Sequence, residues 1–146
     1  MSADKTASVH WTGAGNEGKG EISTETGALN KAPYGFASRF GDDRKATNPE
    51  EILAAAHAAC FAMAFSFACA AEGIQTETVV TSSNVRLAKE GDGFKIDRIA
   101  LTLNAKVPGL SQEQFDKIAA GAKAGCPLSK ALASVPEITL TATLVK

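Results

Sequence analysis

Three cysteines, Cys60, Cys69 and Cys126, are the candidates for chemistry in this chain of 146 residues. A cysteine becomes reactive where its thiolate is favoured, beside a cation or at a helix N-terminus, and stays inert among apolar neighbours. Cys126 lies between Gly125 and Pro127. That Gly-Cys-Pro run breaks one helical pattern and starts another, which puts Cys126 at the N-cap of a short third helix. Unpaired N–H groups and the helix dipole favour a thiolate there. Cys60 shares a stripe with Leu53, Ala56, Met63 and Phe67 at spacings of three and four. Taken alone, that stripe reads as core. Cys69 is nine residues beyond Cys60, about 900° on an ideal helix and so half a turn out of phase. The two face opposite ways and cannot pair. Cys69, among Phe67, Ala68 and Ala70, reads as a small core hydrophobe. Cys60 and Cys126 can meet if the helix before Cys126 packs on the helix that carries Cys60.

A metal site is the rival chemistry. His57 and Cys60 are i and i+3 on one helix face, and Cys126 could be a third ligand. Tetrahedral zinc takes four N/S ligands, or three and a water. The only other histidine, His10, falls in a first strand, and there is no CxxC. The metal reading is therefore set aside, and His57 reads as a helix-face or interface residue.

The element that must position Cys60 is a long helix from Asn48 to about Ala71. Asn48 suits an N-cap and Pro49 the first helical position. Glu51 falls at N3, so Asn48 and Glu51 can form a capping box. From Ile52 to Ala71 the only strongly polar side chains are His57 and Ser66. A helix apolar on all sides is a buried one. Its length would also suit a membrane span, but alanine dominates and the remaining chain is ordinary and polar. Many alanines suggest close approach by another helix, and a second subunit is the natural cover for so much apolar surface.

The remaining elements follow from alternation and turn chemistry. Strands are expected near Thr6–Trp11 and Gly20–Thr24, with a short third. Residues 31–48 read as a long loop containing Pro33, Tyr34, Gly35, Phe36, Arg39 and Phe40. A loop of that length is more often functional than idle, although a solvated charge is the plain reading of Arg39. After Gly73, a helix stop, Thr76–Leu87 and Phe94–Val107 form a hairpin around Glu90–Gly93, with a bulge near Asp97-Arg98. Ser111 and Gln114 box the start of a second helix with the buried stripe Phe115, Ile118, Ala119 and Ala122. The third helix runs through Ala133. Ile138, Leu140, Ala142 and Leu144 alternate as a last strand. Strands, helix, hairpin, helices and strand in that order predict an α+β fold with a largely antiparallel sheet. At this length a single domain spanning residues 1–146 is expected.

With 45% hydrophobic residues and a net charge of −1, nothing favours nucleic acid or an anionic membrane surface as a partner. Residues 1–19 are polar, so no signal peptide is expected and the cytoplasm is the expected compartment. Three cysteines in such a chain are not a disulfide framework.

Four blocks together are specific: Pro33-Tyr34-Gly35-Phe36 with Arg39; Thr47-Asn48-Pro49-Glu50-Glu51; Ala56-His57-Ala58-Ala59-Cys60-Phe61; and Ala122-Lys123-Ala124-Gly125-Cys126-Pro127. In order and spacing they resemble the OsmC/Ohr family, from about residue 20 to the C-terminus. The closer likeness is to the osmotically inducible branch, whose arginine lies in the loop before the central helix. The resemblance implies an OsmC-like fold: an intertwined homodimer with sheets flanking long, buried central helices. It implies a thiol-dependent peroxidase that prefers organic hydroperoxides and is re-reduced by a dithiol, which in the Ohr branch is a lipoylated protein. No cofactor or metal is implied. By resemblance Cys60 is the peroxidatic cysteine, Cys126 the resolving one, and Arg39 and Glu50 complete the active site. Residue chemistry alone does not rank the cysteines, and the N-cap argument favours Cys126 as the thiolate.

For a mid-helix Cys60, Arg39 could supply the cation and Glu50 could hold the guanidinium in a bidentate pair. Apolar neighbours such as Phe36, Phe40, Phe61 and Met63 would suit an alkyl peroxide. A redox sensor and a carrier of apolar ligands remain open as alternatives that use the same cysteines and pocket without turnover. A carrier would survive Cys60→Ser, whereas a peroxidase would not.

Overall fold

The structure is a computed structural model that describes residues 1–146. The chain forms two compact units, Met1–Ile52 and Leu53–Lys146.

In the first unit, β1 (Ala7–Thr12), β2 (Lys19–Thr24) and β3 (Ala32–Gly35) form an antiparallel sheet in that order. A short helix, α1 (Phe36–Phe40), follows β3. The expected 31–48 loop is thus corrected: its first half is a strand and a helical turn. Both are too short for periodicity to register. Pro33 is tolerated because β3 lies at the sheet edge, where a missing N–H costs no ladder bond. Tyr34 stands opposite Gly20 in the β2–β3 register, and a Cβ at Gly20 would collide with the Tyr34 ring. Gly35 and Ser38 box α1: the Gly35 N–H donates to Ser38 Oγ at 3.0 Å, and that hydroxyl donates to the Gly35 carbonyl at 3.1 Å.

Helix α2 (Pro49–Ala71) runs for 23 residues. The Glu51 N–H donates to Asn48 Oδ1 at 2.8 Å, so Asn48 caps as expected. The reciprocal half of the capping box is replaced: the Glu51 carboxylate accepts the Thr47 hydroxyl at 2.9 Å. At the far end Gly73 takes φ 72°, with Ile74 N–H on Cys69 O at 2.9 Å and Gly73 N–H on Ala70 O at 3.0 Å. This is a Schellman stop, which needs the left-handed residue that glycine supplies.

The buried stripe of α2 is His57, Phe61, Phe65 and Cys69. The stripe read as core, that of Cys60, is the neighbouring one, and its Met63 and Phe67 are 59% and 65% exposed. Burial on all sides is therefore not what the single chain shows. A helix apolar all round carries no periodic signal for which face turns inward; the elements packed against it decide. By length and composition α2 could cross a bilayer, yet its phenylalanine stripe enters the core of the second unit.

That unit holds β4 (Thr78–Glu90), β5 (Gly93–Lys106) and β6 (Glu137–Val145), in the order β4-β5-β6. Pairing shifts from Arg86↔Arg98 to Leu87↔Ile96, which leaves Asp97 as the extra residue of a bulge, as the broken alternation predicted. Arg86 holds the Asp97 carboxylate at 2.7 and 2.8 Å. One expectation needs correction: there are two three-stranded sheets rather than one. Pairing is largely antiparallel, as expected, but β6 runs parallel to β5, from Arg98↔Glu137 to Lys106↔Val145. The link between them passes through α3 (Gln112–Gly125) and α4 (Pro127–Ala131). A parallel pair requires such a crossover, and alternation reports which face is buried but not strand direction.

The core of this unit gathers Phe61, Phe65 and Cys69 with Ile99, Leu101 and Leu103 of β5 and with Phe115, Ile118 and Ala122 of α3. Phe65 and Phe115 meet edge to face at 5.6 Å. Cys69 is fully buried here, as expected. Cys69→Ala should therefore cost roughly 1 kcal/mol as a mild core truncation. A lower urea midpoint would show this. Reactivity of the other two thiols should stay within about twofold; a larger change in a folded variant would show that Cys69 does more than fill space.

Candidate active site

Cys60 and Cys126 meet. Their sulfurs are 3.3 Å apart, and both cysteines are free thiols. Cys60 projects from the fourth turn of α2. Cys126 is at once the C-cap of α3 and the N-cap of α4. Its N–H donates to the Ala122 carbonyl at 2.9 Å and its own carbonyl accepts the Lys130 N–H at 3.0 Å. The cysteine is thus pinned on both sides. Pro127, at the first position of α4, has no N–H to leave unpaired. Ala119 and Ala122 are small, buried residues on α3.

The two sulfurs differ electrostatically. Burial pushes the Cys60 thiol up, and Cys126 adds to that rise, while the Leu128 N–H works against it. Burial also pushes Cys126 up, but the N–H groups of Ser129 and Leu128, the Ser129 hydroxyl and Cys60 together bring it below the ordinary thiol value. No side-chain cap bond closes at this N-cap. The first-turn N–H groups of Leu128 and Ser129 nevertheless favour its charge. In the single chain, then, Cys126 is the better thiolate, as the N-cap argument predicted.

The remaining two candidates form a second pair. Arg39 and Glu50 make a bidentate bridge, Nε to Oε1 and Oε2 at 3.2 and 3.1 Å and the terminal nitrogen to Oε1 at 2.6 Å. The carboxylate hydrogen bond raises the Arg39 pKa further above its ordinary value. Arg39 comes from α1 and Glu50 from the first turn of α2. The Asn48 side-chain amide donates to Ser38 O at 3.0 Å and ties the α1 backbone to the α2 cap. The guanidinium lies 5.3 Å from the Phe40 ring centroid, and Phe36 packs on Phe40 at 5.1 Å. Arg39 is thus paired and stacked, not a merely solvated charge. The structure assembles these residues as two pairs, Arg39–Glu50 within the first unit and Cys60–Cys126 within the second.

His57 is a helix-face residue, as read from sequence, on the buried face of α2. It is fully buried, with Nε2 at 2.8 Å from Ser129 Oγ. Ser129 was overlooked, although it had a signal: it is the third residue after an N-cap, where a side chain can reach back to the cap. Phe61, expected to line a pocket, is fully buried in the core of its unit and is not an open wall. No group of three or more His, Cys, Asp or Glu side chains converges as metal ligands would.

The family model described as "OsmC-like protein" matches residues 41–141. The chain is 46% identical over 140 residues to peroxiredoxin OsmC of Escherichia coli (strain K12), covering 96% of each. It is 36% identical over 136 residues to the organic hydroperoxide resistance protein OhrA of Bacillus subtilis (strain 168), covering 92% of this chain and 93% of that one. Its fold matches the crystal structure of an organic hydroperoxide resistance protein OsmC from Legionella pneumophila with a TM-score of 0.72, at 28% identity, over 97% of this chain and 98% of the other.

Proposed function

From the premise that the chain belongs to the OsmC-like family, we propose that it is a cysteine-based peroxidase that reduces organic hydroperoxides, and hydrogen peroxide less efficiently. The observation that carries this is the pair of free thiols at 3.3 Å, Cys60 and Cys126. The relatives named peroxiredoxin and organic hydroperoxide resistance protein support the substrate class.

The cycle follows from the two sulfurs. The Cys60 thiolate attacks the distal peroxide oxygen, the O–O bond breaks, and the alkoxide leaves as an alcohol after taking a proton. Cys60 is now a sulfenic acid. Cys126 attacks its sulfur, a disulfide forms and water leaves. A dithiol, such as a lipoyl group, then reduces the disulfide by exchange and becomes a disulfide itself. Burial raises Cys60, so its role calls for a nearby cation, and Arg39, held flat by Glu50, is the one we assign to it. Phe36, Phe40 and Met63, each with exposed apolar surface, suit an alkyl chain beside the peroxide.

This reading takes residues 1–146 as one OsmC-like domain and the working protein as a cytoplasmic homodimer. Met63 and Phe67, exposed on α2, would pack on a second copy. The test is peroxide consumption by purified protein with a lipoyl dithiol. An alkyl hydroperoxide should be consumed at least tenfold faster than hydrogen peroxide. A protein that binds alkyl hydroperoxide without consuming it would leave the carrier reading in its place. Oxidation once per thiol pair, with no turnover under excess dithiol, would leave the sensor.

A further inference from the structure

We propose that His57 is a positioning residue for disulfide formation: through Ser129 it directs a hydrogen bond onto the sulfur of Cys126. The proposal rests on the peroxidase reading for the step it serves, but the directed bond itself can be measured without peroxide.

His57 sits three residues before Cys60 on α2 and is fully buried. Burial pushes its pKa down, so the ring is neutral near pH 7. A neutral imidazole has one N–H and one bare lone pair. Nδ1 is buried and has no hydrogen-bond partner, whereas Nε2 lies 2.8 Å from Ser129 Oγ. A proton on Nδ1 would be an orphaned buried N–H, a rare arrangement, while a bare lone pair there is less unusual. The Nε2–H tautomer is therefore assigned, and His57 donates to Ser129.

Ser129 has one hydroxyl proton. With its oxygen accepting from His57, that proton is free to be donated elsewhere. Ser129 is the third residue of α4, and Cys126 is the N-cap. A third-position side chain can turn back to the cap, as in a capping box, here with sulfur as the acceptor. The Ser129 hydroxyl does act on Cys126 in the direction that favours its charge. The groups that act on this sulfur are thus the first-turn N–H groups of α4, the Ser129 hydroxyl and Cys60, and none of them carries a formal charge. Of these, only the hydroxyl depends on a partner from another element to fix its direction.

The step served is the attack of Cys126 on the Cys60 sulfenic acid. The Cys126 sulfur loses its proton and is oxidised as the S–S bond forms. The Cys60 sulfur is reduced as its S–O bond breaks, and the hydroxide leaves as water with a proton. A tenfold gain in thiolate fraction costs part of its value in nucleophilicity, with a Brønsted slope near 0.4–0.5, so about threefold in rate should remain.

The test uses Cys126 as the only thiol, in a Cys60→Ser, Cys69→Ala background, titrated by thiolate ultraviolet absorbance. Adding Ser129→Ala or His57→Leu should raise the midpoint by about one pH unit, a tenfold change in thiolate at a given pH. His57→Gln, which keeps an N–H near the Nε2 position, should retain most of the original midpoint. Ser129→Ala with His57→Leu should shift no more than Ser129→Ala alone. In chains retaining Cys60, a stoichiometric pulse of alkyl hydroperoxide should oxidise Cys60 within twofold of the normal rate, with disulfide formation about threefold slower. Unmoved midpoints in Ser129→Ala, additive shifts, or His57→Gln behaving like His57→Leu would each overturn the proposal. Should His57→Leu fail to fold, Ser129→Ala and His57→Gln still decide it. If the midpoints move as stated while the native chain consumes no hydroperoxide, the peroxidase reading fails and the directed bond stands.

Discussion

Cys60→Ser will abolish peroxide turnover. A serine hydroxyl at that point is essentially un-ionised near neutrality and far less nucleophilic than a thiolate, so hydroperoxide loss should fall to the rate of buffer alone. Cys126→Ser should behave differently. Its first equivalent of hydroperoxide should be reduced at nearly the native rate, after which Cys60 is stranded as a sulfenic acid with no sulfur at 3.3 Å to condense with. Further peroxide should carry it to sulfinic and sulfonic acids. Mass spectrometry after one and after many equivalents would show one added oxygen, then two and three. Normal turnover of Cys126→Ser with a dithiol would remove its resolving role.

Two inactive proteins should make an active one when mixed. Glu50 and Cys60 are ten residues apart on α2, about 15 Å along an ideal helix, with side chains some 80° apart in direction. Helical side chains also lean towards the N-terminus, which takes Glu50 further from Cys60. A glutamate spans only a few ångströms, so a site needing both residues must draw them from two helices. We assign Arg39 and Glu50 of one subunit to Cys60 and Cys126 of its partner, in a two-fold dimer with two shared sites. Cys60→Ser subunits combined with Arg39→Ala subunits should then give heterodimers with about half the native activity. One of the two sites in each would hold all four native residues. A heterodimer that forms and stays dead would place each site within a single subunit.

Local chemistry was legible where it repeats or caps. Asn48 and Pro49 marked the start of α2, Gly73 its stop, Ser111 and Gln114 the start of α3, and the broken alternation at Asp97 the bulge. The N-cap position of Cys126 was read correctly, with its electrostatic consequence. What escaped depends on partners distant in sequence. β3 and α1 exist because β2 offers an edge and Ser38 can box Gly35, which four or five residues cannot announce. The direction of β6 is set by its crossover, not by its alternation. The buried stripe of α2 was misjudged by one helical row, because every row is apolar. His57 was visible as a lone polar group on an apolar helix, but its partner lies 72 residues away, beyond any local pattern.

The separation of 66 positions between Cys60 and Cys126 gives the cycle a thermal side. A crosslink across that span closes a large loop, and in the chain-entropy account it lowers the disorder of the unfolded state by about 4 kcal/mol at room temperature. The sulfurs need close by only about 1 Å to bond, so little native strain should offset this. Each turnover would then switch the protein between a tethered chain and an open one whose melting points differ by something on the order of 10 °C. Linkage works in both directions, so the fold would hold the disulfide against its reductant as firmly as the disulfide holds the fold. Under heat, the balance of peroxide against dithiol would decide how much of the protein stays folded as well as how fast it works.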